Sequence, residues 1–146
     1  MEKNQRIIEF TKCINRRLNI FKGFILTGVS EDDKVQIVSE LMTQNSEMVV
    51  IKDMESPKGL FHSLKELNGT QVLIAEEVLH KRKEWVDLIE QAVCSSTDSG
   101  DSWEVDYLNE GSFKFTGELI ILTETPTDKF FKSEKNKYLI RHCFVL

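Results

Sequence analysis

The chain has 146 residues, of which 40% are hydrophobic and 29% charged, with a formal net charge of −5. That length supports one folded core rather than two, and the acidic balance excludes a surface that coats nucleic acid all round. Cys13, Cys94 and Cys143 are far apart and odd in number, which excludes a disulfide framework or zinc ribbon and points to a reducing, cytoplasmic setting.

From the N-terminus, residues 4–18 carry Ile7, Ile8, Phe10, Ile14 and Leu18 among polar residues, the pattern of an amphipathic helix closed by Arg16 and Arg17. Residues 1–20 are therefore assigned to an N-terminal helix and 21–146 to the main domain. Phe21–Thr27 is nearly apolar throughout, as strands covered on both faces are. A polar loop over 28–33 follows, then a helix from Lys34 to about Gln44. Met48–Ile51 reads as a second buried strand and Asp53–Pro57 as a turn, with Ser56 an N-cap and Pro57 in first helical position. Leu60, Phe61, Leu64 and Leu67 mark the next helix, which stops at Asn68-Gly69.

Gln71–Ala75 is a third short apolar strand ending in Glu76-Glu77. Residues 79–95 form the longest helical pattern, and Ser95–Ser102 has the composition of a flexible loop. Trp103–Leu108 and Phe113–Phe115 alternate with period two and predict a β-hairpin. Trp103, Tyr107, Phe113 and Phe115 are expected to pack within that hairpin rather than stack on bases. Leu119–Leu122 is a fourth buried strand, a lysine-rich helix over about 127–134 follows, and Tyr138–Leu146 is the last strand. Cys143-Phe144-Val145-Leu146 formally matches a prenylation signal, but burial of Cys143 in that strand is the expectation. The fold class is thus α/β: a three-layer sandwich with a mostly parallel five-stranded sheet, an added β-hairpin and an N-terminal helix. No run reaches membrane-spanning length, and no membrane association is expected.

One stretch organises the chemistry. Phe24–Leu26, Thr27-Gly28, a polar loop and Lys34 opening a helix reproduce the frame G-x-x-x-x-G-K-[ST] of a phosphate-binding P-loop. Gly28 and Lys34 stand at the first glycine and the lysine. Asp33 replaces the second glycine, and Val35 replaces the hydroxyl residue that would hold magnesium. Three further groups follow apolar strands in the order a nucleotide site requires: Glu76, Glu77 and Thr123. In parallel sheets such groups converge, because loops at the carboxyl ends of strands share one edge.

On these residues the chain resembles the additional-strand P-loop ATPases, which include AAA+ proteins and superfamily-three helicases. Val72–Glu77 looks like their second acidic motif, Leu119–Thr125 like their sensor strand, and the hairpin lies where the helicases insert one. The resemblance implies that Gly28 and Lys34 would bind nucleotide, Glu76 metal, Glu77 the attacking water and Thr123 the terminal phosphate. It also implies a lid after the core, and none is expected before Leu146. The departures oppose that chemistry. Glu31, Asp32 and Asp33 would face a polyanion, and like charges ~4 Å apart repel by ~4 kcal/mol at an effective dielectric near 20, about a thousandfold in affinity. Val35 removes a magnesium ligand. The expectation is a degenerate, non-catalytic binding or regulatory module with no cofactor, partnered by an ATPase or replication subunit. The alternative is an unusual active ATPase or helicase core using ATP with magnesium; a receiver-like signalling domain fits less well, because Glu76 stands where its aspartate should.

Other features have plainer readings. Glu31-Asp32-Asp33 also makes an ordinary acidic first turn, and Lys34 a helix-opening surface lysine. His62, His80 and His142 are scattered, so no metal site is expected. Lys81, Arg82 and Lys83, with Lys129, Lys132 and Lys135, make a solvated face that could also touch a phosphate backbone. The architectural test is whether the strand after Gly117 lies between the first and third strands.

Overall fold

Alternating apolar strands and helices, each strand too apolar to leave a face in water, leave the chain little choice but a parallel sheet covered on both sides. The computed structural model describes residues 3–14, 21–51, 56–94 and 104–146, and its order is α1 (Lys3–Ile14), β1 (Gly23–Leu26), α2 (Glu31–Gln44), β2 (Val49–Ile51), α3 (Pro57–Glu66), β3 (Gln71–Ile74), α4 (Lys83–Cys94), β4 (Val105–Asp106), β5 (Ser112–Phe113), β6 (Glu118–Leu122), α5 (Thr127–Lys132), α6 (Lys137–His142) and β7 (Cys143–Val145). Five strands form one all-parallel sheet in the order β2-β3-β6-β1-β7. The strand after Gly117 therefore does lie between the first and third core strands. The remaining two form a separate antiparallel hairpin, with Val105 opposite Phe113.

The strand order explains the layers. The β1→β2 connection runs toward one edge of the sheet, whereas the β2→β3, β3→β6 and β6→β7 connections run toward the other. Right-handed crossovers then place α2 on one face and α3, α4 and α6 on the opposite one. Side chains alternate accordingly. Phe24, Leu26, Leu73, Ile120 and Leu122 pack with Phe10, Ile14, Ile37 and Leu41 of α1 and α2. Ile25, Val72, Ile74, Leu119 and Ile121 pack with Leu60, Phe61, Leu88, Ile89 and Leu139 from the other helices. Every strand thus needs apolar residues at consecutive positions. The hairpin seals the second layer: Phe115 and Val105 are fully buried, and Phe113 meets Phe61 edge-on at 5.4 Å. Trp103 lies outside the described residues, as do Arg16, Arg17, the turn at 53–55 and the loop at 95–102.

Three expectations are corrected. Tyr138–His142 is not strand but helix α6, and only Cys143–Val145 joins the sheet, beside β1. A strand parallel to β6 must be entered from the opposite edge, so the chain needs a crossing element before it, and a short apolar run cannot reveal which it is. The long helix begins at Lys83 rather than 79, because Glu76–His80 winds into a 3₁₀ turn first. Lastly, α2 begins at Glu31, three residues before Lys34. That shift changes the nature of the site. Ser56 does cap α3 as expected, its hydroxyl accepting from the Gly59 N–H at 3.0 Å with Pro57 next in line, and Cys143 is buried.

Candidate functional site

Where consecutive connections leave adjacent strands in opposite directions, a parallel sheet opens a crevice at its carboxyl edge. Here that switch point lies between β1, which leads to α2, and β6, which leads to α5. The β1–α2 loop is only Thr27–Ser30, because Ser30 accepts from the Asp33 N–H at 3.3 Å and starts the helix at once. Glu31, Asp32 and Asp33 are its acidic first turn, where the helix dipole favours them. Removing the cap in Ser30→Ala should cost about 1 kcal/mol, read by thermal unfolding.

This loop has little free donor capacity. The Gly28 N–H donates to the Thr125 carbonyl at 2.8 Å and the Val29 N–H to the Thr123 carbonyl at 2.9 Å, which zips the β1 loop onto the β6 loop. The Thr27 N–H donates to the Leu146 carbonyl and the Lys34 N–H to the Ser30 carbonyl. Gly28 adopts φ +66°, a left-handed conformation that a side chain would strain. From α1, Arg6 Nη2 donates to the Thr27 carbonyl at 2.9 Å. The hollow among Arg6, Gly28, Val29 and Asp33 is about 20 Å³, room for a single water. Arg6 gave no signal in the sequence, since its partner is a backbone carbonyl 21 residues away.

Across the crevice, three of the predicted residues meet. Lys34 Nζ donates to Glu76 Oε1 at 2.7 Å and to Glu31 Oε1 at 3.1 Å. The other oxygen of Glu76 accepts from Thr123 Oγ1 at 2.5 Å and from the Glu124 N–H at 3.1 Å. β6 lies between β1 and β3, and Thr123 at its end holds the Glu76 carboxylate by the oxygen that Lys34 does not bond. The Lys34 and Glu76 side chains are only 17% and 14% exposed, and Thr123 is buried. Partial burial alone would raise the Glu76 pKa, but the hydrogen bonds from Lys34, Thr123 and the Glu124 N–H outweigh it and hold the value below the usual carboxylate range. Burial would likewise lower Lys34, and the bonds and charges of Glu76 and Glu31 prevail to raise it. Among the described residues no buried side-chain polar atom lacks a partner.

Glu77 is exposed on the 3₁₀ turn and joins no part of this network. Glu31, Glu76 and Glu124 bring carboxylate oxygens within 4.8 Å of one another. The Lys34 ammonium already bonds two of those three groups, so a cation of the protein's own stands in the acidic cluster. Of the basic residues, Lys81 and Arg82 line one hollow near this edge, and Lys129 and Lys135 line another; Lys83 and Lys132 line neither.

No family model and no curated protein matches the chain. What the site does must therefore be read from its chemistry. Among the described residues no helix is long and apolar enough to cross a membrane.

Proposed function

We propose that this chain is a degenerate P-loop-like domain acting as a non-catalytic binding or regulatory module, working with an ATPase or nucleic-acid replication assembly. One observation carries the reading: the loop that would cradle phosphates directs the Gly28 and Val29 N–H groups at the Thr125 and Thr123 carbonyls instead. A phosphate nest needs successive N–H groups aimed at the anion, and a lysine free to reach it. Lys34 is engaged by two carboxylates. The insertion of β6 between β1 and β3 supports the P-loop-like ancestry; the class of partner rests on the resemblance of the Val72–Glu77 and Leu119–Thr125 stretches.

The alternative is an active ATPase or helicase core, and the meeting of Lys34, Glu76 and Thr123 at one edge is the observation in its favour. Binding would then have to unzip the two loops and strip Lys34 from Glu76. Titrating ATP with magnesium into the protein by calorimetry separates the two. The expected result is no saturable heat and no phosphate release. Saturable binding with hydrolysis, both abolished by Lys34→Ala, would overturn the non-catalytic reading.

A further inference from the structure

The cations that line the hollows beside the crevice contrast with Lys34. Lys34 is neutralised twice over, whereas among the described residues Lys81, Arg82, Lys129 and Lys135 form no ion pair and all four are exposed. They line two hollows, one of about 490 Å³ holding Lys81 and Arg82, the other of about 150 Å³ holding Lys129 and Lys135. Both hollows include His80, so they adjoin; together they are the track proposed below. Thr125 and Ser133 add hydroxyls in the smaller hollow and Ser56 one in the larger. In a chain of net charge −5, four exposed cations that form no ion pair among the described residues line the two adjoining hollows, against Glu84 in the larger and the Glu76 carboxylate bonded to Thr123 on the wall of the smaller.

The geometry points to this track as a binding site for the sugar-phosphate backbone of a single-stranded nucleic acid. A single phosphomonoester is best held by donors converging on one point, and here the cations are spread over two adjoining hollows. Hydroxyls and basic side chains together are what phosphate oxygens accept from. A flexible single strand can bend into two adjoining hollows, which a rigid duplex would only lie across, and the proposal is made for the single strand. Base stacking is not part of the site: the Trp85 ring is buried, and the Lys81 ammonium sits over it at 4.7 Å. Recognition is therefore by charge and independent of sequence. Glu84, also on the wall of the larger hollow, opposes the strand. The inference does not depend on whether Lys34 ever meets a nucleotide.

The test is fluorescence anisotropy with fluorescein-labelled oligothymidylate and oligouridylate of about 20 nucleotides, longer than one domain covers. Salt is varied between about 50 and 200 mM. Affinity should fall with salt, with a slope of ~0.7 per phosphate neutralised. Lys81→Ala/Arg82→Ala and Lys129→Ala/Lys135→Ala should each weaken binding about tenfold and reduce the slope by ~1.4, two phosphates' worth. Lys12→Ala/Lys114→Ala, on surfaces away from the track, should change neither, and Glu84→Gln should tighten binding. Absence of binding at the lowest salt, or equal loss in the Lys12→Ala/Lys114→Ala variant, overturns the proposal. So does equal binding, with the same variant profile, to inorganic tripolyphosphate or to phosphatidylserine vesicles, because the track would then read phosphate from another source.

Discussion

Glu76→Ala should destabilise the fold by about 2–3 kcal/mol, and Lys34→Ala by only about 1 kcal/mol. The asymmetry follows from the wiring. Removing the Glu76 carboxylate deprives three donors at once: the Lys34 ammonium, the buried Thr123 hydroxyl and the Glu124 N–H. Removing Lys34 leaves Glu76 still bonded by Thr123 and the Glu124 N–H. For a domain of this size the larger loss corresponds to a melting point lower by roughly 4–12 °C. Equal losses, or the reverse order, would mean that the contacts beyond the ion pair contribute nothing.

The same network sets a pH dependence. Glu76, with a folded pKa below its unfolded value, contributes stability above the ordinary carboxylate pKa and loses it as pH falls through the lowered value. Lys34, raised above 10.5, contributes below that pH and loses the contribution as pH rises through the higher folded value. Urea midpoints should therefore show a neutral plateau from this pair, and Glu76→Gln should flatten the acid limb.

Gly117→Ala should be the most damaging single methyl addition, costing about 3 kcal/mol or more. A Cβ there would lie 2.1 Å from the Thr70 carbonyl oxygen and 3.0 Å from its nitrogen. The neighbouring backbone cannot withdraw cheaply. The Glu118 N–H donates to that same Thr70 oxygen, Asn68 bonds both the Lys114 carbonyl and the Thr116 N–H, and Lys22 Nζ donates to the Phe115 carbonyl. Making room would shift the start of β6 against β3, in the middle of the sheet. Gly59→Ala is the control. Its Cβ would meet only the Ser56 hydroxyl at 3.4 Å inside helix α3, and the helix should gain up to about 1 kcal/mol. Denaturant unfolding measures both, and a cost at Gly117 no larger than at Gly59 would contradict the tight approach of the two segments.

The α/β class was legible because the strands at 23–26, 71–74 and 118–122 are apolar at every consecutive position but their ends, which only burial on both faces explains. The Ser56-Pro57 helix start and the packing of Tyr107, Phe113 and Phe115 against the core were legible for similarly local reasons. The sequence does not separate α6 from β7, because Tyr138–Ile140 is as apolar as a strand and only the need to return to the opposite edge makes it helical. The sequence does not reveal the start of α2, because Glu31-Asp32-Asp33 serves a loop and an acidic first turn equally well. Ser30 decides between them by capping.

Residue types and their spacing by themselves determined that a lysine, a glutamate and a threonine would follow the first, third and fourth core strands, because each comes after an apolar run and strand ends share an edge. Only the tertiary structure decided what those groups do there. The order β3-β6-β1 brings Lys34 and Thr123 to opposite oxygens of the Glu76 carboxylate, and the short β1 loop binds its own N–H groups to the β6 loop. Both are contacts between segments about 40 to 100 residues apart, and no local pattern encodes which donor meets which acceptor at that range.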